Sequence, residues 1–133
     1  MSTDSILSKL LRELQPELHP GEYVFTTVDT LKKLPEKYIV GEFKEEEGIT
    51  VIIERAIADQ FGLSYNYIAS WITLSVDSPL NAVGLTAAFS AALAAQGISC
   101  NVVAAYHHDH IFVSKSDGEK AMKALKELSD KYK

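Results

Sequence analysis

Gly84-Leu85-Thr86-Ala87-Ala88-Phe89-Ser90-Ala91-Ala92-Leu93-Ala94-Ala95-Gln96-Gly97-Ile98-Ser99-Cys100-Asn101 is the stretch from which the fold is read. Leu85, Ala88, Phe89, Ala92 and Leu93 fall at i, i+3, i+4, i+7 and i+8, the core face of a helix. Gly97 stops that helix, and an apolar strand follows. No charged residue occurs from Ser78 to Tyr106. A helix of ~13–17 residues reaches only about 20–25 Å, short of the roughly 30 Å hydrocarbon core of a bilayer, so the stretch reads as a buried helix and strand. The outward positions Ser90, Ala91, Ala94, Ala95 and Gln96 are small and neutral. They suit either close packing against another unit or an exposed helix of high intrinsic propensity.

Outward from this helix, Trp71–Val76 alternates as a strand, with Ile72, Leu74 and Val76 on one face and Trp71, Thr73 and Ser75 on the other. Asp77-Ser78-Pro79 is its exit loop. Downstream, Ile98–Tyr106 and Ile111–Ser114 read as strands around the turn His107-His108-Asp109-His110. The last helix opens with Ser116-Asp117-Gly118-Glu119, a capping-box pattern. Its apolar positions are Ala121, Met122, Leu125, Leu128 and Tyr132, and Glu119–Lys123 and Glu127–Lys131 are spaced as i,i+4 pairs.

The first half follows the same order. Ile6, Leu7, Leu10, Leu11 and Leu14 have helical spacing and Pro16 ends the run. Tyr23–Val28 is β-branched and aromatic, as a strand should be. Asp29–Leu34 is at most a helical turn, closed by Pro35. Ile39–Phe43 and Ile49–Ile53 form a hairpin across the acidic Lys44–Gly48 loop, and Glu54–Phe61 is a short helix with Gly62 where a left-handed cap belongs. The two halves, 1–69 and 70–133, thus read as a degenerate tandem repeat.

At 133 residues and 47% apolar content, the chain is long enough to bury a core without a metal or disulfide staple. Cys100 is the only cysteine, so no internal bridge is available. A net charge of −5, with lysines interleaved among acids, argues against nucleic acid. The N-terminus lacks the basic start and apolar run of a signal peptide, so a cytoplasmic protein without a membrane span is expected.

The quoted stretch resembles the core of an ACT domain, particularly the aspartokinase kind. There, too, a glycine opens the helix, a leucine lies near its end, and a small residue, a glycine and an isoleucine lead into the next strand. Gly84, Leu93, Gly97 and Ile98 match in type and spacing. The resemblance is close over residues 70–133 and rests on topology over 1–69. The segment from Asn101 to Val113 is similar to a family of bacterial tandem-ACT proteins of unassigned role.

The resemblance implies an α+β, ferredoxin-like βαββαβ unit, an antiparallel sheet with helices on one face, repeated in two halves. No strand follows the last helix, so an N-terminal segment such as Tyr23–Val28 has to complete the second sheet. It also implies an amino-acid ligand held between the loop after the first strand and the start of the second strand of a neighbouring unit. The matching positions are Asp77, Asn81, Ala82, Val83, Gly84, Leu85 and Thr86 for the loop and helix start, and Ser99, Cys100 and Asn101 for the strand. Leu80 stands where the family usually has a glycine after the loop proline.

Elementary chemistry favours the same location. Free N–H groups at a helix start attract a carboxylate, a glycine admits close approach, an aspartate meets an ammonium, and an asparagine both donates and accepts. Nothing implies a cofactor. His107, His108 and His110 with Asp109 read as a polar turn; as a metal site they would need side chains that alternate across a strand to converge. Cys100 has no neighbouring cation to activate it. No phosphate loop, nucleophile elbow or carboxylate pair appears.

The expectation is a non-catalytic small-molecule sensor that works through a partner protein or as a homo-oligomer, without nucleic acid or membrane. The alternatives are an assembly module without a ligand and, less in keeping with the residues, a small metal-dependent enzyme.

Overall fold

Pro16, read from the sequence as the end of a helix, lies in a strand. The structure is a computed structural model that describes residues 5–133. Helix α1 spans Ile6–Arg12, and its N-cap Ser5 accepts a hydrogen bond from the Ser8 amide at 3.0 Å. Strand β1, Gln15–Leu18, follows almost at once. Its single proline is tolerable because a strand needs amide donors only toward a paired neighbour. The chain divides into two compact units: residues 20–69, and residues 5–19 together with 70–133.

In the first of these units, β2 (Tyr23–Val28), β3 (Ile39–Glu45) and β4 (Gly48–Glu54) form an antiparallel sheet in the order β3-β4-β2. The register runs from Tyr23↔Glu54 to Val28↔Ile49. Strand β5 spans Ile68–Ser75, and its first residues extend this sheet through Tyr23↔Ala69 and Val24↔Ile68. No helix fills the place between β2 and β3. Pro35 leads into a 3-10 turn, Glu36–Tyr38, instead. Helix α2, Arg55–Gln60, covers the sheet and ends at Gly62, whose φ of +65 is the left-handed value that its position requires. Val24, Leu34, Val51, Ile53 and Ala58 form the core.

In the second unit the strand order is β1-β5-β7-β6, with β6 at Asn101–Ala104 and β7 at Asp109–Ser114. β1 pairs antiparallel with β5 from Gln15↔Ser75 to Leu18↔Ile72. The segment that completes this sheet is therefore Gln15–Leu18, and Tyr23–Val28 belongs to the other unit. The reason is chain geometry, since the turn at Pro20-Gly21 ends one strand before the next begins. β6 is shorter than the Ile98–Tyr106 run suggested. Ile98 leaves the helix buried at 3% exposure and does not join the ladder, and the β7 partner strand starts at Asp109.

Helices α3 (Leu85–Ala95) and α4 (Gly118–Asp130) pack on one face of this sheet. Leu85, Phe89 and Leu93 from α3 meet Ile72 and Leu74 from β5, Val76 just beyond it, and Ile111 and Val113 from β7. α4 adds Ala121, Ala124, Leu125 and Leu128. The expected capping box does not form. Residues 115–117 make a 3-10 turn, and Asp117, the N-cap of α4, makes no side-chain cap bond. Gly118 is required for space instead: a Cβ there would lie 2.9 Å from Ser70 Oγ and 3.3 Å from its Cβ. The i,i+4 pairs foreseen on α4 do not close. Lys133 pairs with Asp130 at 3.2 Å.

The architecture is α+β, two ferredoxin-like halves of antiparallel strands with helices on one face.

Candidate functional site

Val76 ends the buried run of the strand and points into the core, which releases Asp77 into solvent at the start of the loop to α3. Pro79 accepts a hydrogen bond from the Ala82 amide at 3.0 Å through its carbonyl, so the loop closes on itself. Gly84 then enters the helix with φ +99, a conformation that disfavours a side chain. Space is also limiting, because a Cβ on Gly84 would lie 3.0 Å from Leu7 Cδ2.

Two cavities adjoin this loop. The smaller, about 60 Å³, lies between Ala82, Leu85 and Thr86 at the helix start and Ala104, Ala105, His108 and Asp109 across from them. The larger, about 450 Å³, is bounded by Asp77–Asn81 on one side and Tyr106 and His107 on the other. Carboxylates, an amide, imidazoles, a phenol ring and the first turn of a helix thus line the two cavities.

Asp109 is half-buried, and burial pushes its carboxyl above the usual range although the adjacent His110 pulls it down. Two exposed apolar side chains, Leu80 and Tyr106, stand at the rim of the larger cavity.

The residues singled out from sequence divide into two places. Asp77, Asn81, Ala82, Leu85 and Thr86 line these cavities, whereas Val83 projects outward at 88% exposure and Gly84 shapes the backbone. Ser99, Cys100 and Asn101 sit at the opposite end of β6 from the 105–108 turn, and they line neither cavity. Three residues of strand separate the two ends, about 10 Å. Asn101 pairs with Phe112 in the ladder and its amide donates to the Phe112 carbonyl at 3.2 Å. Half-burial raises the Cys100 thiol to about 11, which keeps it protonated.

Sequence reasoning missed the far wall of the cavities. The sequence shows His107–His110 as a polar turn and Ala105 and Tyr106 as strand, but only the β6–β7 register places residues 104–109 opposite Asp77–Thr86. That register also separates the histidines. His107 and His108 are exposed in the turn, while His110 lies in β7, opposite Val103. Among the described residues, no three His, Cys, Asp or Glu side chains are grouped to hold a metal ion, and no helix is long and apolar enough to cross a membrane.

Comparison with known proteins accords with this architecture. The ACT domain family matches residues 3–70 through one of its patterns and residues 67–127 through another. Neither pattern belongs to a catalytic family. No match was found among curated proteins.

Among solved structures, a Vibrio cholerae protein of unknown function, described as a possible transport protein, is 45% identical with a TM-score of 0.83. The alignment covers 92% of this chain and 95% of that one. A protein from Agrobacterium tumefaciens is 16% identical with a TM-score of 0.64, over 87% and 89% of the two chains. The ligand-free regulatory subunit of aspartate kinase from Thermus thermophilus shares 9% identity and a TM-score of 0.60, over 85% and 95%. The last two likenesses are of fold alone. With both halves matched and the strand order observed in each, the chain belongs to the ACT domain family as two ACT domains in tandem.

Proposed function

We propose that this protein is a non-catalytic regulatory module that binds an amino acid, or a similar zwitterion, at the loop between β5 and α3. The observation that carries the reading is the placement of Asp77, Asn81 and the α3 N-terminus along one solvent-accessible cavity system. An ammonium group suits Asp77 or Asp109, and a carboxylate suits the free amides at the start of α3. The fold shared with an aspartate kinase regulatory subunit supports a regulatory role by analogy.

Ser99–Asn101 lie away from the loop within the chain, so their part in the site is supplied by a second copy. Ligand and protein contacts would then meet at a joint between the two copies, and the regulatory output passes to a partner protein from there. A cytoplasmic setting fits this role.

Calorimetry with the variants Asp77→Ala and Asn101→Ala tests the reading. Each alone abolishes binding of the L-amino acid that the wild type binds. After subunit exchange between the two variants, hybrid dimers hold one site with both residues intact, so about a quarter of the wild-type capacity returns. Full binding by both variants, or a protein monomeric with and without ligand, contradicts the reading.

An assembly module without a ligand is the second reading, favoured by the outward row Ala87, Ala91, Ala94 and Ala95 on α3, all exposed.

A further inference from the structure

The face of the second unit's sheet opposite its helices carries a hydrogen-bonded chain of four side chains, from β5, β7 and the residue that follows β1. His19, one residue beyond β1, donates its backbone N–H to the Trp71 carbonyl at 2.9 Å, and its ring stacks on the Trp71 indole at 3.6 Å and 12°. His19 Nε2 lies 2.7 Å from Thr73 Oγ1. Thr73 Oγ1 lies 3.1 Å from His110 Nδ1, and the Trp71 Nε1–H donates to that same nitrogen at 3.0 Å. Thr73 is 6% exposed, so water has little access to its hydroxyl.

One arrangement of protons places a hydrogen in each of these contacts, with the His110 Nδ1 lone pair shared between two donors. The indole N–H can only donate, so His110 Nδ1 must carry its lone pair. The Thr73 hydroxyl then donates to the same nitrogen and accepts from His19 Nε2–H. All donors in the chain end on His110 Nδ1. That single atom is the acceptor on which the network depends.

We infer that this cluster is a proton-operated clasp, closed when His110 is neutral and opened when its Nδ1 is protonated, and that it governs how firmly β1 is held on β5. A proton on Nδ1 sets an N–H against the indole N–H and removes the acceptor from Thr73 in the same step. His19 is no comparable trigger, because its Nε2 donates in both charge states and a charged ring stacked on indole is favourable.

The groups facing the trigger are Asp109 and His108 from its own strand and turn, and His19, itself beside Glu17, from the segment after β1. Burial holds the His110 imidazole below its ordinary range, His108 and His19 lower it further, and Asp109 opposes them. The clasp therefore stays closed at neutral pH and opens on acidification. The inference stands independently of the ligand reading.

Trp71 is the only tryptophan, so its emission reports the clasp directly. As pH falls from 7.5, the wild type is expected to show a one-proton change in emission with a midpoint below 6.5, the ordinary imidazole value. Amide exchange at Glu17, Leu18 and His19 accelerates over the same interval. His110→Gln, checked for fold by circular dichroism, loses both transitions. His108→Gln keeps them and moves the midpoint upward. Nitrogen NMR of the wild type serves as a second readout, with His110 Nδ1 unprotonated at pH 7.5. A flat emission profile between pH 7.5 and 5, the same transition in His110→Gln, or a protonated Nδ1 at pH 7.5 overturns the proposal.

Discussion

The Ser129 hydroxyl donates to the Arg12 carbonyl at 3.0 Å, joining residues 117 positions apart. Arg12 is the last residue of α1 and Ser129 is the penultimate residue of α4, so the bond ties the two ends of the second unit together. Its setting is dry, with Ser129 only 3% exposed. Ser129→Ala removes a donor that is itself shielded from water. Urea unfolding should register a loss of about 1–2 kcal/mol, and a change within error would mean that water replaces the bond.

Gly84 predicts a stability effect at the candidate site itself. Its φ of +99 strains any side chain, and a Cβ there would lie 3.0 Å from Leu7 Cδ2, so that the leucine has to give way. Gly84→Ala should lower stability by about 1–2 kcal/mol in the same assay. Combining it with Leu7→Ala should cost less than the sum of the two single changes, because the shorter side chain clears the contact.

Asp109 predicts the opposite sign. Burial raises the folded-state pKa of its carboxyl above the ordinary value of 3.8. The folded state therefore binds the proton more tightly than the unfolded state does. The stability from that proton is fully present below 3.8 and is lost as pH rises through the folded value. At pH 7 the charged group is a net cost, so Asp109→Asn should unfold at equal or higher temperature than the wild type. The difference should shrink in acid. A clear destabilisation at pH 7 would show that the carboxylate is fully compensated by its neighbours. A residue that costs stability beside a cavity is the pattern expected of a binding group.

Cys100 should react slowly. With a thiol near 11, about one molecule in a thousand carries the thiolate at pH 8. Labelling by a disulfide reagent should run about a hundredfold slower than in the unfolded chain, and rapid labelling would place Cys100 in a more open or more cationic setting.

The parts of the fold that were legible in the sequence are those where periodicity and burial agree. Phe89 and Leu93 on α3 and the alternation Ile72, Leu74, Val76 along and just past β5 are all buried as expected. The first strand of the other unit, Tyr23–Val28, begins and ends where its β-branched run does. Strand β1 was hidden because Gln15-Pro16-Glu17-Leu18 has low strand propensity and is held by its pairing to β5, a tertiary effect. The capping pattern at 116–119 misled for a related reason. Gly118 sits against Ser70, a residue distant in sequence, where a Cβ has no room.

The loop residues Asp77–Thr86 were readable from their kinship to a known motif. Their opposite wall, Ala104–Asp109, depends on strand register and was not. The clasp joins His19 to His110 through Thr73, and no spacing rule connects residues so far apart.

The most direct measurement of the central claim is a thermal-shift screen of the purified protein against L-amino acids and their D-enantiomers. A ligand at 100 times its dissociation constant adds about 2.7 kcal/mol, several degrees for a domain of this size. The account predicts a shift for one L-amino acid or a small related set, absent with the D-form and lost in Asp77→Ala. A flat response across the whole panel would contradict it.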